Sequence, residues 1–306
     1  MMKLEDKRIL KIVSGLDNLP HSAYNIRING KKSARNITEN INIISKEDKD
    51  GIDIIVKPNT KGESIHIPVV LSKSGLKDVV YNDFYIGENA EVTIVAGCGI
   101  HNDSEQESGH DGIHRLFLEK NSKVKYIEKH YGEGNGVNNK VLNPITEIYL
   151  KEGSYLEMDT AQISGISSSD RKTIANLEAN TTFIVSEKIM THSTQFANTE
   201  FILSLNGENS SAHIKSRSVA TEDSTQHFIS KVYGNNKCFA HVECDAIIKD
   251  NAKVISTPEV TASNIDANLI HEAAIGKIAG EQLTKLMTLG LDEKQAEEAI
   301  ITGFLK

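Results

Sequence analysis

The sequence predicts a mainly β chain wound as a parallel β-helix, with C-terminal α-helices and a short N-terminal helical segment. Three observations predict it. Short apolar segments bounded by Gly, Asn or Pro run from about 51 to 270, with no helical pattern between them. A short phrase recurs along that stretch at nearly regular intervals. Beyond it the apolar spacing changes to steps of three and four.

Taken in order, residues 3–14 read as a short amphipathic helix. Leu4, Ile9, Ile12 and Val13 fall on one side, and Gly15 is placed to end it. Residues 16–50 are polar and resist assignment; Asn36, Asn40, Asn42 and the run Lys46–Asp50 suggest exposed turns. Strands are expected at Ile52–Val56, Ile65–Val69 and Val79–Tyr81. The repeat then reads Asn89-Ala90-Glu91-Val92, Asn121-Ser122-Lys123-Val124 and Gly153-Ser154-Tyr155-Leu156. It continues at Asn180, Asn209, Asn236 and Asn251, with intervals of 32, 32, 27, 29, 27 and 15. Asn or Gly supplies a left-handed turn at the head of each unit. Ala212–Ser216 also aligns with Ala240–Cys244 at a shift of 28. Strands stacked at a fixed period without helices point to a solenoid; a β-sandwich with chance similarity is the alternative.

From His271 the pattern reads as helical, through Ile275, Ile278, Leu283, Leu286 and Met287, until Gly290. Asp292 can cap a second helix, with Gln295 completing a capping box and Ala296, Ala299, Ile300 and Phe304 on its apolar side. These helices are expected to seal the open end of the solenoid or to offer a docking face. The chain thus divides into an N-terminal segment (1–50), a β-helix core (51–270) and a C-terminal helical segment (271–306).

Composition narrows the function classes. Of 306 residues, 34 are Lys or Arg and 42 are Asp or Glu, a net charge of −8. That balance disfavours nucleic acid and anionic membrane surfaces as partners. No apolar run approaches a membrane span. The start Met1–Asp6 lacks the apolar stretch of a signal peptide, so a cytoplasmic protein is expected. Three cysteines do not make a disulfide framework. Trp is absent and Asn numbers 25, which suits a turn-rich chain with a slim core.

Two constellations could carry chemistry. Cys98, His101, His110, His114 and His130 include C-x2-H and H-x3-H spacings that suit zinc, although no helix surrounds them as a finger would need. Polar turn histidines are the plainer reading. The second group is Cys238, His241, Cys244, His271 and Glu272, thiolate, imidazole and carboxylate being iron or zinc ligands. Strand alternation turns Val242, Cys244, Ala246 and Ile248 inward and His241, Glu243 and Asp245 outward. Glu272 lies 28 residues beyond Cys244, the same shift as above, which would set it one rung over Cys244. Phosphate loops, nucleophile elbows, HExxH and CxxC are absent. Ser167–Arg171 reads as a solvated turn, and the Gly-rich Tyr131–Gly136 lacks the following helix of a dinucleotide site.

These residues closely resemble the SufB/SufD family of the SUF iron–sulfur cluster assembly system. The resemblance is most specific in His271-Glu272-Ala273-Ala274-Ile275-Gly276-Lys277-Ile278, with Gln282, Leu283, Leu286, Met287, Gly290 and Gly303-Phe304. Gly97–Asn102, His110–His114, Glu128–Gly134, Ser216–Ala220 and His241–Ile247 are also family-like. The likeness runs from about 95 to 304 and is greatest to the short single-subunit form found beside one SUF ATPase.

The resemblance implies a right-handed parallel β-helix followed by C-terminal helices. It implies a non-enzymatic scaffold that pairs with itself through the β-helix and docks a SufC-type ABC ATPase through those helices. Gln282, Leu283, Leu286, Met287 and Phe304 are the docking candidates. The nascent cluster is expected at the pairing interface, on Cys244 and Glu272 by likeness to SufB and on His271 by likeness to SufD. ATP binding would then open the interface and make Cys244 reachable. Longer SufB proteins have an additional N-terminal region, often with clustered cysteines; the N-terminus here reads as short and without them, so a second, N-terminal cluster site is not expected. The sulfur donor, the iron source and any flavin are not named by these motifs. A β-helix enzyme or a zinc-binding hydrolase is the rival reading; few aromatics and no signal peptide count against it.

Overall fold

The computed structural model describes residues 3–136 and 139–306. Met1 and Met2, the head of the segment read as 1–50, lie outside the described residues. The chain begins with α1 (Leu4–Ser14), β1 (Ala23–Ile28), β2 (Lys31–Asn36), β3 (Ile41–Ser45) and β4 (Gly51–Val56). Then come β5 (Lys61–Leu71), β6 (Lys77–Ile86), β7 (Glu91–His101), β8 (Ser108–Leu118), β9 (Lys123–Glu133), β10 (Lys140–Leu142) and β11 (Ile145–Leu150). They are followed by β12 (Tyr155–Ser164), β13 (Ser168–Leu177), β14 (Thr182–Thr191), β15 (Phe196–Leu205) and β16 (Ser210–Ala220). The last elements are β17 (Thr225–Gly234), β18 (Cys238–Ile248), β19 (Lys253–Ala262), β20 (Ala267–Gly276), α2 (Gly280–Thr288) and α3 (Glu293–Phe304).

The strands form two sheets. One runs β2-β1-β5-β7-β9-β12-β14-β16-β18-β20. The other runs β19-β17-β15-β13-β10-β8-β6-β4-β3, with β11 beside β8 and β13. From β5 onward the chain crosses between sheets and returns parallel to the strand one rung below, for example β14 on β12 and β15 on β13. This is a β-helix, as expected, and the β-sandwich alternative falls. The sequence intervals are the rungs themselves: Lys123 pairs Tyr155, Tyr155 pairs Thr182, Thr182 pairs Ser211 and Ala212 pairs Ala240.

The repeated turn residues do what the repeat needs. Asn89, Asn121, Asn180 and Asn209 have φ of 56, 56, 58 and 58°, and Gly153 has 72°. Asparagine tolerates this left-handed region because its short amide bonds locally. The amides also stack between rungs, with Asn121 Nδ2 donating to Asn89 Oδ1 and Asn209 Nδ2 to Asn180 Oδ1, both at 3.4 Å. Asn236 does not adopt a positive φ, and Asn251 lies at the other crossing, beside Asp250 (φ 57°). Its interval of 15 was half a rung.

The core lies between the sheets. Phe84, Leu116, Ile148, Leu203, Val92, Val124, Leu156 and Phe183 are buried there. α1 packs outside, on Ile9, Leu10 and Val13, while Leu4 and Ile12 are exposed. It lies flush on β7 because Gly97 and Gly99 have no side chains: a Cβ on Gly99 would come 2.1 Å from Ile9 Cγ2. Gly15 ends α1 with a φ of 70°.

Three expectations need correction. Residues 16–50 hold β1, β2 and β3 rather than turns alone, and β1 joins β5 in parallel. The helical reading from His271 begins too early. Residues 267–276 are strand β20, because pairing with β18 satisfies their backbone over ten register positions, and α2 starts only at Gly280. Nor do the helices seal the open end. α3 turns back beside β16 and β18, where Arg217 donates to the Phe304 carbonyl at 3.0 Å and Lys249 pairs Glu297 at 2.7 Å. The Asp292–Gln295 capping box forms as expected, with Ala296 buried. The last strands, β19 and β20, therefore end both sheets with Ile255, Val260, Ile265, Ile270 and Ile275 exposed. No helix among the described residues is long and apolar enough to cross a membrane.

Candidate functional site

Parity along β18 places its residues as alternation predicts. Val242, Cys244 and Ala246 are buried between the sheets, and His241, Glu243 and Asp245 lie on the outer face. The next rung brings a surprise in register. β20 sits on β18 with Val242 opposite His271, Glu243 opposite Glu272 and Cys244 opposite Ala273. The shift is one residue more than the 28 that relates β16 to β18, and one residue changes the face.

His271 is thereby turned into the lumen beside Cys244. Its Nδ1 is 3.2 Å from Ser230 Oγ and its Nε2 is 3.5 Å from Ser256 Oγ. Ser256 also hydrogen-bonds Cys244 and so bridges the two. Burial pushes the Cys244 thiol up to about 11, outweighing Ser256, so it is protonated at neutral pH. Burial likewise lowers the His271 imidazole. Glu272 points outward, its side chain 67% exposed and Oε2 3.5 Å from His241 Nε2. The expected trio is thus divided within one chain: Cys244 and His271 share the lumen, and Glu272 stands over Glu243 rather than over Cys244.

Cys244 ends a column of inward side chains. Glu128, Thr160, Glu187, Ser216 and Cys244 occupy successive rungs. Arg171 reaches them from β13 on the facing sheet. It donates to Glu128 Oε2 at 2.6 Å and to His130 Nδ1 at 3.0 Å, and lies 3.8 Å from Glu187. Ser216 donates to Glu187 at 2.8 Å. Burial works to raise the Glu128 carboxyl, but Arg171 and His130 hold it well below the usual range. At Glu187 burial wins over Arg171 and the carboxyl is raised. The turn read at Ser167–Arg171 is therefore mostly strand, with Ser169 and Arg171 buried.

The other constellation also divides. Cys98, His110, His114 and His130 are buried in the lumen. His101 faces outward, where its Nδ1 is 3.1 Å from Glu5 and Glu133 and its Nε2 is 2.8 Å from Asp103. Arg8 pairs with Glu133 as well. Glu5, His101 and Glu133 bring their ligand atoms within 4.8 Å of one another. Burial would lower His101, but its carboxylate neighbours, Asp103 and Glu133 foremost, outweigh it and raise it. His101 is thus an ionic clasp between α1 and the β-helix. Within the lumen, His110 Nδ1 meets Asp78 at 3.2 Å and His114 Nδ1 meets the Tyr126 hydroxyl at 2.8 Å. Burial pushes His114 down to about 4. It also lifts the Cys98 thiol well above its usual value, helped by Asp78 and Glu128.

Of the docking candidates, Gln282 and Met287 are exposed on α2, Leu283 and Leu286 are half-buried, and Phe304 lies under Arg217 at 5.6 Å. A groove of about 390 Å³ separates the helices from β18, lined by Ile247, Ile278, Leu283 and Ile301. Sequence reasoning missed Glu128, Arg171, Glu187, Ser230 and Ser256. Their signal was polar residues at inward parity: Val124 and Tyr126 precede Glu128 and His130 on one face of β9, and Phe183 and Val185 precede Glu187 on β14.

A parallel β-helix with a thiol and an imidazole inside one uncovered end is a class defined by fold and site together. Residues 82–304 match the family described as SUF system FeS cluster assembly, SufBD core domain, and the chain belongs to that family. An iron–sulfur cluster assembly SufBD family protein of Methanocaldococcus jannaschii is 28% identical over 277 residues, covering 86% of this chain and 84% of its own. One from Pyrococcus horikoshii is 29% identical, covering 88% and 82%. The iron–sulfur cluster assembly protein SufB of Bacillus subtilis is 34% identical over 105 residues, 32% of this chain and 22% of its own.

Proposed function

We propose that this chain is a non-enzymatic scaffold on which an iron–sulfur cluster is built, with Cys244, His271 and Glu272 as the assembling residues. The observation that carries the reading is the uncovered last rung. Two edge strands with exposed isoleucines and a valine are a surface that asks for a partner strand. A second copy of the chain supplies one by two-fold pairing. Cys244 and His271 lie one rung or less from that edge. Because Glu272 projects from the opposite face of its own sheet, it joins a Cys244 site across the pair rather than within one chain.

The thiol of Cys244 is buried and protonated at rest. Returning it to water would favour its thiolate by roughly 3 kcal/mol, from the difference between about 11 and the ordinary 9. A SufC-type ATPase gripping α2 and α3 would supply the differential binding that drives this opening. α3 is tied to the strand that carries Cys244 through the Lys249–Glu297 contact just beyond it, which offers a short path for the motion. The cargo is iron and sulfur delivered by other proteins of the cytoplasm.

Anaerobic reconstitution with ferrous iron, sulfide and thiol tests this on the intact protein and on Cys244→Ser. Visible charge-transfer bands lost in the variant are expected. Bands of equal strength in Cys244→Ser, with equal iron per dimer, would remove Cys244 from the site. If neither protein binds iron, the same comparison is made with the ATPase and ATP present, and failure there refutes the scaffold role.

A further inference from the structure

The inward residues at the centre of β8 are His110, Gly112 and His114. The absent side chain at Gly112 leaves a gap between two imidazoles: a Cβ there would lie 3.1 Å from His114 Nε2 and 3.5 Å from His110 Nε2. Cys98, Asn82, Glu128 and His130 line the same cavity, of about 20 Å³. That volume admits one water-sized occupant.

The ring protons can be assigned from the partners. Asp78 carboxylate only accepts, so the His110 Nδ1 contact at 3.2 Å is a donation from His110. The Tyr126 hydroxyl gives its proton to Glu128 Oε1 at 3.2 Å, so it accepts from His114 Nδ1 at 2.8 Å. Both rings therefore donate through Nδ1; Nε2 of His110 faces the gap, and Nε2 of His114 faces it while accepting from the Asn82 amide. A carboxylate behind an imidazole, as Asp78 stands behind His110, is how metal-ligating histidines are commonly held. His130 is the reverse case. Arg171 donates into its Nδ1, so its Nε2 carries the proton and is no ligand. The Asn82 amide, 3.3 Å from His114 Nε2, is the polar neighbour an ion would replace.

We propose that Cys98 Sγ, His110 Nε2 and His114 Nε2 hold one divalent ion of the zinc or ferrous class in this cavity, with a fourth position open to water. Two imidazoles and a thiolate suit such borderline ions. Binding exchanges the Cys98 thiol proton for the metal, and the proton leaves to solvent. The three donors are not within 4.8 Å of one another, so binding would draw the imidazoles together over Gly112, where no side chain intervenes. Leu142 and Pro144, where β10 gives way to β11, also line the cavity, and Pro144 has no N–H for the ladder. The site is five strands from Cys244, roughly 24 Å at the usual strand spacing. It stands independently of the cluster-assembly reading. The surface group Glu5, His101 and Glu133 is a weaker candidate, since Arg8 already pairs with Glu133 and no thiol is present.

Cobalt(II) is the probe. The full chain carrying Cys244→Ser is titrated anaerobically, and a second batch is expressed in cobalt-supplemented medium so that folding can load the site. One cobalt per chain is expected, with a thiolate-to-cobalt charge-transfer band and strong four-coordinate visible bands. Gly112→Ala keeps every ligand but fills the gap, and about 10–100-fold weaker binding is expected. Cys98→Ser should abolish the charge-transfer band. Should Gly112→Ala fail to fold by circular dichroism, Cys98→Ser and His114→Ala decide the matter. No cobalt in either folded preparation overturns the proposal. So does cobalt that lacks the thiolate band, or that disappears with His101→Ala instead.

Discussion

Arg171→Met isolates the ionic centre of the lumen. The guanidinium is buried and holds Glu128 at 2.6 Å, His130 at 3.0 Å and, more distantly, Glu187. Methionine keeps much of the volume and removes the charge. Removing one partner of a buried ion pair costs about 3–5 kcal/mol, because the remaining charge is stranded. At roughly 2.1 cal/mol/K of unfolding entropy per residue, a chain of this length should melt about 5–8 °C lower. The cost also depends on pH. In the intact protein Glu128 is held below its usual range, so its contribution is full above the unfolded carboxyl pKa and is lost as pH falls through the folded one. In the variant the main cation is gone and burial raises Glu128 above its unfolded value. It then destabilises increasingly as pH rises past about 4.3. Urea unfolding and calorimetry at pH 7.5 and pH 5 should therefore show a gap between the two proteins that narrows in acid. Adding Glu128→Gln to the variant should recover part of the loss. A loss below about 1 kcal/mol at pH 7.5, or a gap independent of pH, would refute the description of the lumen as a paired ionic centre.

Ile255→Asp puts a charge on the uncovered edge and should shift the protein toward monomer in sedimentation, with the melting temperature little changed; an unaltered dimer would place the pairing surface elsewhere. Gly99→Val should displace α1, since even a Cβ would come 2.1 Å from Ile9 Cγ2, and limited proteolysis should then cut within residues 4–14. His101 is raised by its carboxylates, so its clasp on α1 is complete below about 6.5 and fades as pH rises through the folded value. Amide exchange in α1, corrected for intrinsic rate, should accelerate over that rise, and His101→Gln should remove the dependence. Asn121 sits at a φ of 56°, so Asn121→Ala should cost about 1 kcal/mol by denaturant titration and Asn121→Gly distinctly less.

The solenoid was legible because its physics is local and repeated. Each rung needs a left-handed turn and alternating inward residues, and Asn89, Asn121, Gly153, Asn180 and Asn209 mark the first directly. The capping box at Asp292 and the end of α1 at Gly15 are short-range in the same way. Where reading failed, competition was long-range. Residues 271–276 carry a helical spacing but lie in a strand, because β18 offers ten parallel backbone partners. Ser167–Arg171 looks solvated because its polar residues give no sign of the Glu128 carboxylate that Arg171 meets from the opposite sheet.

By itself, then, the amino-acid order determined the β-helix, its rung length, the inward parity of Cys244 and the family to which the motifs point. Only the tertiary structure decided which candidate residues meet. A rung of 29 rather than 28 residues between β18 and β20 sets His271 beside Cys244 and sends Glu272 to the outside. The stacking of β7, β8 and β9 likewise gathers Cys98, His110, His114 and His130 in one lumen, with His101 on the outer face of β7. The reason is that a strand has two faces: a single-residue difference in loop length leaves composition and pattern nearly unchanged, yet reverses the side of the sheet on which every later side chain stands.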